Sequence, residues 1–93
     1  MHAIVNTVTI DADRGEEALS ELRDVVVPMA TSAPGFVSAS WIRSADGTRG
    51  VSVELFESQA AAEGAIEQRP GGPPPGSPVT LVSTEVMEVV ASA

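Results

Sequence analysis

Cysteine, tyrosine and lysine are absent from these 93 residues, and histidine occurs once, at position 2. Without cysteine there is no disulfide framework, no thiolate nucleophile and no cysteine-type zinc site, a composition that fits a reducing cytosol. A lone His2 near the chain start cannot by itself build a histidine metal site or a catalytic triad. No apolar run approaches the roughly 18 residues that a membrane span requires. The first twenty residues also lack the basic and continuous apolar regions of a signal peptide. Five arginines against thirteen acidic residues give a net charge of −8. No two arginines are adjacent, so the clustered cations that displace counterions from nucleic acid are missing. The expectation is a soluble, cytoplasmic protein that binds neither nucleic acid nor membrane.

What is present is periodic. Residues 3–10, AIVNTVTI, are rich in β-branched types and alternate Ile4, Asn6, Val8 and Ile10 against Ala3, Val5, Thr7 and Thr9, which predicts a strand. Asp11-Ala12-Asp13 resembles the start of a calcium loop, but an EF-hand register would need glycine at Glu16 and glutamate at Leu22, and neither fits. Asp13 is instead expected to cap a helix, with Glu16 completing a capping box. Leu19, Leu22, Val26 and Met29 recur at helical spacing from Glu16 to about Thr31, and Pro28 predicts a kink or an early end near Val27. Strands are expected at about 36–44 and 49–57. A second, alanine-rich helix at 59–68 would be capped by Ser58 or Glu57 and bury Ala62, Ala65 and Ile66. Residues 69–78, RPGGPPPGSP, form a Pro/Gly-rich loop, and Val79 to Val90 a last strand.

The order strand, helix, strand, strand, helix, strand specifies a single α+β domain over residues 1–93. It is ferredoxin-like βαββαβ, with a four-stranded antiparallel sheet carrying two helices on one face. A chain of this length buries only about 60–65% of its unfolded surface, so the uncovered sheet face is expected to pair with another copy as a homodimer.

The hairpin predicts two unlike rows. A three-residue loop, Ala45-Asp46-Gly47, places Ser44 opposite Thr48. Trp41 then pairs with Val51, Ala39 with Val53 and Val37 with Leu55 on an apolar dimer-interface face, with Trp41, Val51 and Val53 as its anchors. Ser40 faces Ser52, Ser38 faces Glu54 and Phe36 faces Phe56 on the other side. That second row either lies beneath the alanine-rich helix over a partly polar pocket or is a wetted face on which the two phenylalanines pack. Asn6 is either an amide bonded within a core or a ligand contact. Glu54 is either a base in the middle of a strand or a glutamate that faces water or pairs with arginine.

The βαββαβ order, APGF at 33–36, Arg43, and Phe56-Glu57-Ser58 ahead of the second helix resemble the small dimeric α+β barrel proteins grouped with the antibiotic-biosynthesis monooxygenases. The resemblance spans nearly the whole chain, through fold markers more than catalytic ones. It implies a homodimeric α+β barrel with a small-ligand cavity between sheet and helices. The implied activity is oxidation of an aromatic or polyketide-like substrate by molecular oxygen, with no cofactor and no metal. In that scheme Glu54 is the base, Asn6 the amide donor, and Phe36, Ser38, Ser40, Ser52 and Phe56 contact the ligand. In the haem-degrading branch the first-strand asparagine is matched by Asn6, but a tryptophan is replaced by Phe56. The ligating histidine of the second-helix region has no counterpart, which argues against haem degradation. The alternative is a non-catalytic dimeric binding or scaffolding module, favoured by the missing tyrosine, cysteine and internal histidine.

Overall fold

The β-branched run at the start of the chain forms β1 (His2–Ile10), which pairs on both sides and so occupies the middle of the sheet. The computed structural model describes residues 1–69 and 71–93. β2 (Phe36–Arg43), β3 (Arg49–Phe56) and β4 (Val79–Glu88) complete an antiparallel sheet in the order β2-β3-β1-β4. With α1 (Gly15–Glu21), α2 (Val27–Thr31) and α3 (Gln59–Glu67) this is the ferredoxin-like βαββαβ arrangement. Of the expected loop at 69–78, Pro70 lies outside the described residues.

The first helix is entered and interrupted differently from expectation. Asp11, not Asp13, supplies the cap: its Oδ1 accepts the backbone N–H of Asp13 at 3.1 Å and closes a 3-10 turn, Ala12–Arg14, while α1 itself has no side-chain cap. Pro28 neither ends the helix nor breaks it. A π-helical turn, Leu22–Val26, joins α1 to α2, and the Val27 N–H donates to Leu22 O, five residues back. Widening the turn just ahead of the proline accommodates a residue that lacks an amide donor and crowds the preceding turn. Ser58 caps α3 as expected, accepting the Ala61 N–H at 3.1 Å.

The hairpin register is corrected by one residue. The loop has four residues, not three, because Asp46 holds Thr48 within it. Asp46 Oδ1 accepts from the Thr48 N–H at 3.0 Å, the Thr48 hydroxyl at 2.7 Å and the Ser44 hydroxyl at 2.7 Å. Ser44 N therefore donates to Arg49 O at 2.9 Å, and Gly47, at φ 75°, closes the turn. Trp41 now faces Ser52, Ala39 faces Glu54, Ser40 faces Val53 and Ser38 faces Leu55, until a bulge at Val37 restores the Phe36–Phe56 pair. The same three hydrogen bonds, those from Thr48 first, pull the Asp46 carboxyl from its ordinary 3.8 down to about 2. A lowered folded value means that this contribution is complete above pH 4 and lost as pH falls through about 2. An NMR titration is expected to place the Asp46 carboxyl midpoint near 2, and Thr48→Ala to move it toward 3.8.

One sheet face carries Ile4, Asn6, Ser52, Glu54, Phe56, Ala39 and Trp41, and α3 lies across β1, β3 and β4 on that side. The core is small. Ile4 and Phe56 are fully buried against Ala62 and Ala65, with Phe36, Ala61, Ile66 and Val86 around them. Gly35, at φ 81°, passes so close beneath α3 that a Cβ there would stand 2.6 Å from that of Ala61. This accounts for the glycine of APGF. The opposite face carries Val5, Val51, Val53, Leu55 and Ile42, with Ile42 61% exposed. No described helix is long and apolar enough to cross a membrane.

Candidate functional site

A glutamate in the middle of a strand between β1 and β2 has nowhere to put its charge unless the fold brings it a donor. Glu54 is 2% exposed and Ser52 6%, and three donors converge on the Glu54 carboxylate. Arg69 approaches with both ends of its guanidinium, Nη2 donating to Oε1 at 2.6 Å and Nη1 to Oε2 at 2.9 Å. Asn6 Nδ2 donates to Oε2 at 3.0 Å and to Ser52 Oγ at 3.1 Å, so both amide hydrogens are used. Thr84 on β4 donates its hydroxyl to Asn6 Oδ1 at 2.8 Å, which fixes which way the amide points. Four strand residues and one arginine thus form one network that is buried at Ser52 and Glu54 and reaches the surface at Thr84.

Asn6, Ser52, Glu54, Phe36 and Phe56 share one face, Asn6 and Phe56 as the resemblance implied, and that face lies beneath α3, the first of the two readings that the pattern left open. The two phenyl rings meet edge to face, 6.0 Å between centroids and 82° between planes, and wall one end of the network. Ser38 and Ser40 do not belong to this face. The one-residue register change turns them to the opposite side, opposite Leu55 and Val53, where both are exposed. The change also moves Trp41: Val51 and Val53 lie on the open face, but Trp41 sits half-buried on the helix face beside Ser52. The apolar face and the polar face therefore differ in membership from the rows expected, with Trp41 and Glu54 projecting the same way.

Arg69 and Thr84 were missed in the sequence. Thr84 is one residue of a polar-apolar alternation in β4 with nothing to single it out. Arg69 opens a proline-rich loop, and its only signal is a demand made elsewhere, by a carboxylate on a strand that must be buried. The space over Glu54 is occupied by this side chain. Two surface depressions lie apart from it, one of about 490 Å³ beside Asp13, Arg14, Leu19 and Arg43, and one of about 320 Å³ beside Pro34, Gly35, Ala61 and Gln68.

Among the described residues no group of three or more histidines, cysteines or carboxylates could hold a metal ion. The second helix meets the sheet through Ala62 and Ala65, which cannot ligate iron, and His2 lies on β1 opposite Phe56 and Glu88.

Residues 1–66 match the family model described as antibiotic biosynthesis monooxygenase, and the chain belongs to that family. No curated protein sequence matches it. Solved structures share its fold. A heme-degrader, MhuD from Mycobacterium tuberculosis with two hemes bound in its active site, is 22% identical, with a TM-score of 0.76 over 100% of this chain and 99% of that one. SnoaB, a cofactor-independent oxygenase from Streptomyces nogalater, is 16% identical at a TM-score of 0.67, covering 98% of this chain and 94% of that one. A monooxygenase from the gene ActVA-Orf6 of Streptomyces coelicolor, in complex with the ligand Nanaomycin D, is 20% identical at 0.63, covering 99% and 89%. At these identities the likeness concerns the fold.

Proposed function

We propose that this member of the antibiotic biosynthesis monooxygenase family is a cytoplasmic, homodimeric, cofactor-independent monooxygenase of an aromatic or polyketide-like substrate. The observation that carries this is the contact of Asn6 with the buried Glu54 carboxylate under α3, with Phe36 and Phe56 at its edge. Glu54 accepts a proton from an acidic C–H or O–H of the substrate, and the Asn6 amide turns the hydrogen it gives to Ser52 Oγ toward the oxyanion that results. The electron-rich anion then reacts directly with molecular oxygen to form a C–O bond, and the resulting peroxide loses water as Glu54 returns its proton to the departing oxygen, so that a substrate CH2 and O2 become a C=O and H2O. The exposed valines and Ile42 of the open sheet face are the surface for the second copy.

Oxygen uptake with an anthrone and quinol panel tests the reaction. Removing a general base is expected to slow turnover about 10²-fold or more in Glu54→Gln, with a further loss in Asn6→Ala. Equal rates in wild type and both variants would remove the enzymatic proposal.

One observation favours a non-catalytic binding module instead: every hydrogen of the Asn6 amide and both oxygens of Glu54 are already engaged within the protein. Native mass spectrometry separates the two. A retained small molecule supports the ligand site, and an empty dimer that binds nothing in a ligand screen supports the module.

A further inference from the structure

The proton-accepting role proposed for Glu54 meets an obstacle in its own geometry. The carboxylate is buried, and Arg69 covers both of its oxygens. Arg69 does not belong to the sheet. It follows α3, where its backbone N–H still donates to Ile66 O at 3.1 Å, and it heads the connection to β4. The far end of that connection is tied at the rim of α1. Arg14 Nη2 donates to Gly76 O at 2.7 Å, the Ser77 hydroxyl lies 2.9 and 3.0 Å from the two oxygens of Glu21, and the Asp11 N–H donates to Pro78 O at 2.8 Å. Arg14 is also paired with Glu17 and is 37% exposed, whereas Arg69 is 16% exposed. Among the described residues the connection is thus held at its far end by these rim contacts and at its near end by the half-buried Arg69, through its side chain on Glu54 and its N–H on Ile66 O.

We propose that Arg69 is a clasp, and that a neutral ligand carrying an O–H donor takes its place on Glu54 when the Arg69 side chain swings aside. The proposal rests on the ligand site put forward above. An ionised carboxylate is only an acceptor, and once desolvated it must be given donors. When the guanidinium leaves, Asn6 still serves Oε2, but Oε1 is left without a partner. A phenolic or enolic hydroxyl supplies that missing donor and stands where its proton can pass to Glu54. A methyl ether cannot donate, and an anionic ligand would place like charges side by side in a buried space. Release of the Arg69 side chain from Glu54 precedes entry.

The test uses three probes of one shape: 1-naphthol, 1-methoxynaphthalene and 1-naphthoate. Each is titrated into the ¹⁵N-labelled protein while the Arg69 side-chain N–H, the Trp41 indole N–H and the amides of Gly71, Gly72, Gly76 and Ser77 are followed. Naphthol is expected to bind about 10-fold or more tightly than either other probe, the size of one hydrogen bond to a charged group. It should also shift the Arg69 signal. Without any probe, Glu54→Gln/Arg69→Met, which removes both charges together, is expected to speed exchange of the four loop amides about 10-fold relative to the amides of β1. Naphthol and its ether binding alike, with the Arg69 signal unmoved, would overturn the clasp and leave a ligand site standing. If no probe binds, the ligand site itself fails, and unchanged loop exchange in the double variant would overturn the clasp independently.

Discussion

Replacing Arg69 with methionine is expected to destabilise the protein by about 3–5 kcal/mol, because it leaves the Glu54 carboxylate buried with Asn6 as its one remaining side-chain donor. In a chain of this length that corresponds to a fall in melting temperature of more than about 10 °C. The loss comes from an uncompensated charge, not from the worth of the ion pair itself. Removing both partners, as in Glu54→Gln/Arg69→Met, is therefore expected to recover most of the stability, since glutamine keeps an oxygen for Asn6 and buries no charge. Thermal or urea denaturation of the wild type, the single variant and the double variant measures both quantities. A double variant no more stable than Arg69→Met alone would show that the arginine acts through packing and not through the charge it neutralises.

Phe56→Ala is expected to destabilise by a similar amount, about 3–5 kcal/mol, for an unrelated reason. Phe56 is fully buried, and its neighbours across the core are Ile4, Ala62 and Ala65. Alanines lack the side-chain reach to close the cavity, so little of the lost contact is regained. Phe36, which is only half-buried, is expected to lose less on truncation to alanine. The edge-to-face contact between the two rings should appear as a coupling of about 0.5–1.5 kcal/mol in a double-mutant cycle. Urea denaturation of the two single variants and the double variant provides the three values required. A Phe56→Ala loss below about 1 kcal/mol would mean that α3 collapses onto the sheet, in conflict with the fixed approach of Gly35 to Ala61.

Local chemistry explains which parts of the fold could be read from the sequence. The strand at β1, the capped alanine-rich helix and the βαββαβ order follow from side-chain periodicity and from a serine placed to accept an orphan N–H, each decided by a few neighbouring residues. The hairpin went astray where two local devices compete. Gly47 suits a three-residue loop, but Asp46 gains three hydrogen bonds by holding Thr48 in a longer one. That one added residue reverses the facing of Ser38, Ser40 and Trp41. The bulge at Val37 then conceals the change at Phe36.

Composition and spacing by themselves determined the class of fold, the absence of cysteine and lysine chemistry, and the sharing of one face by Ser52 and Glu54, whereas the arrival of Asn6 opposite Ser52 was implied only by the family resemblance and is set by the β1–β3 register. The partner of Glu54 was decided by the tertiary structure alone. Arg69 lies 15 residues further on, past a helix, and nothing along the chain links the two. Only when α3 packs on the sheet does desolvation make the carboxylate's need for a cation large, and only then is the guanidinium near enough to meet it.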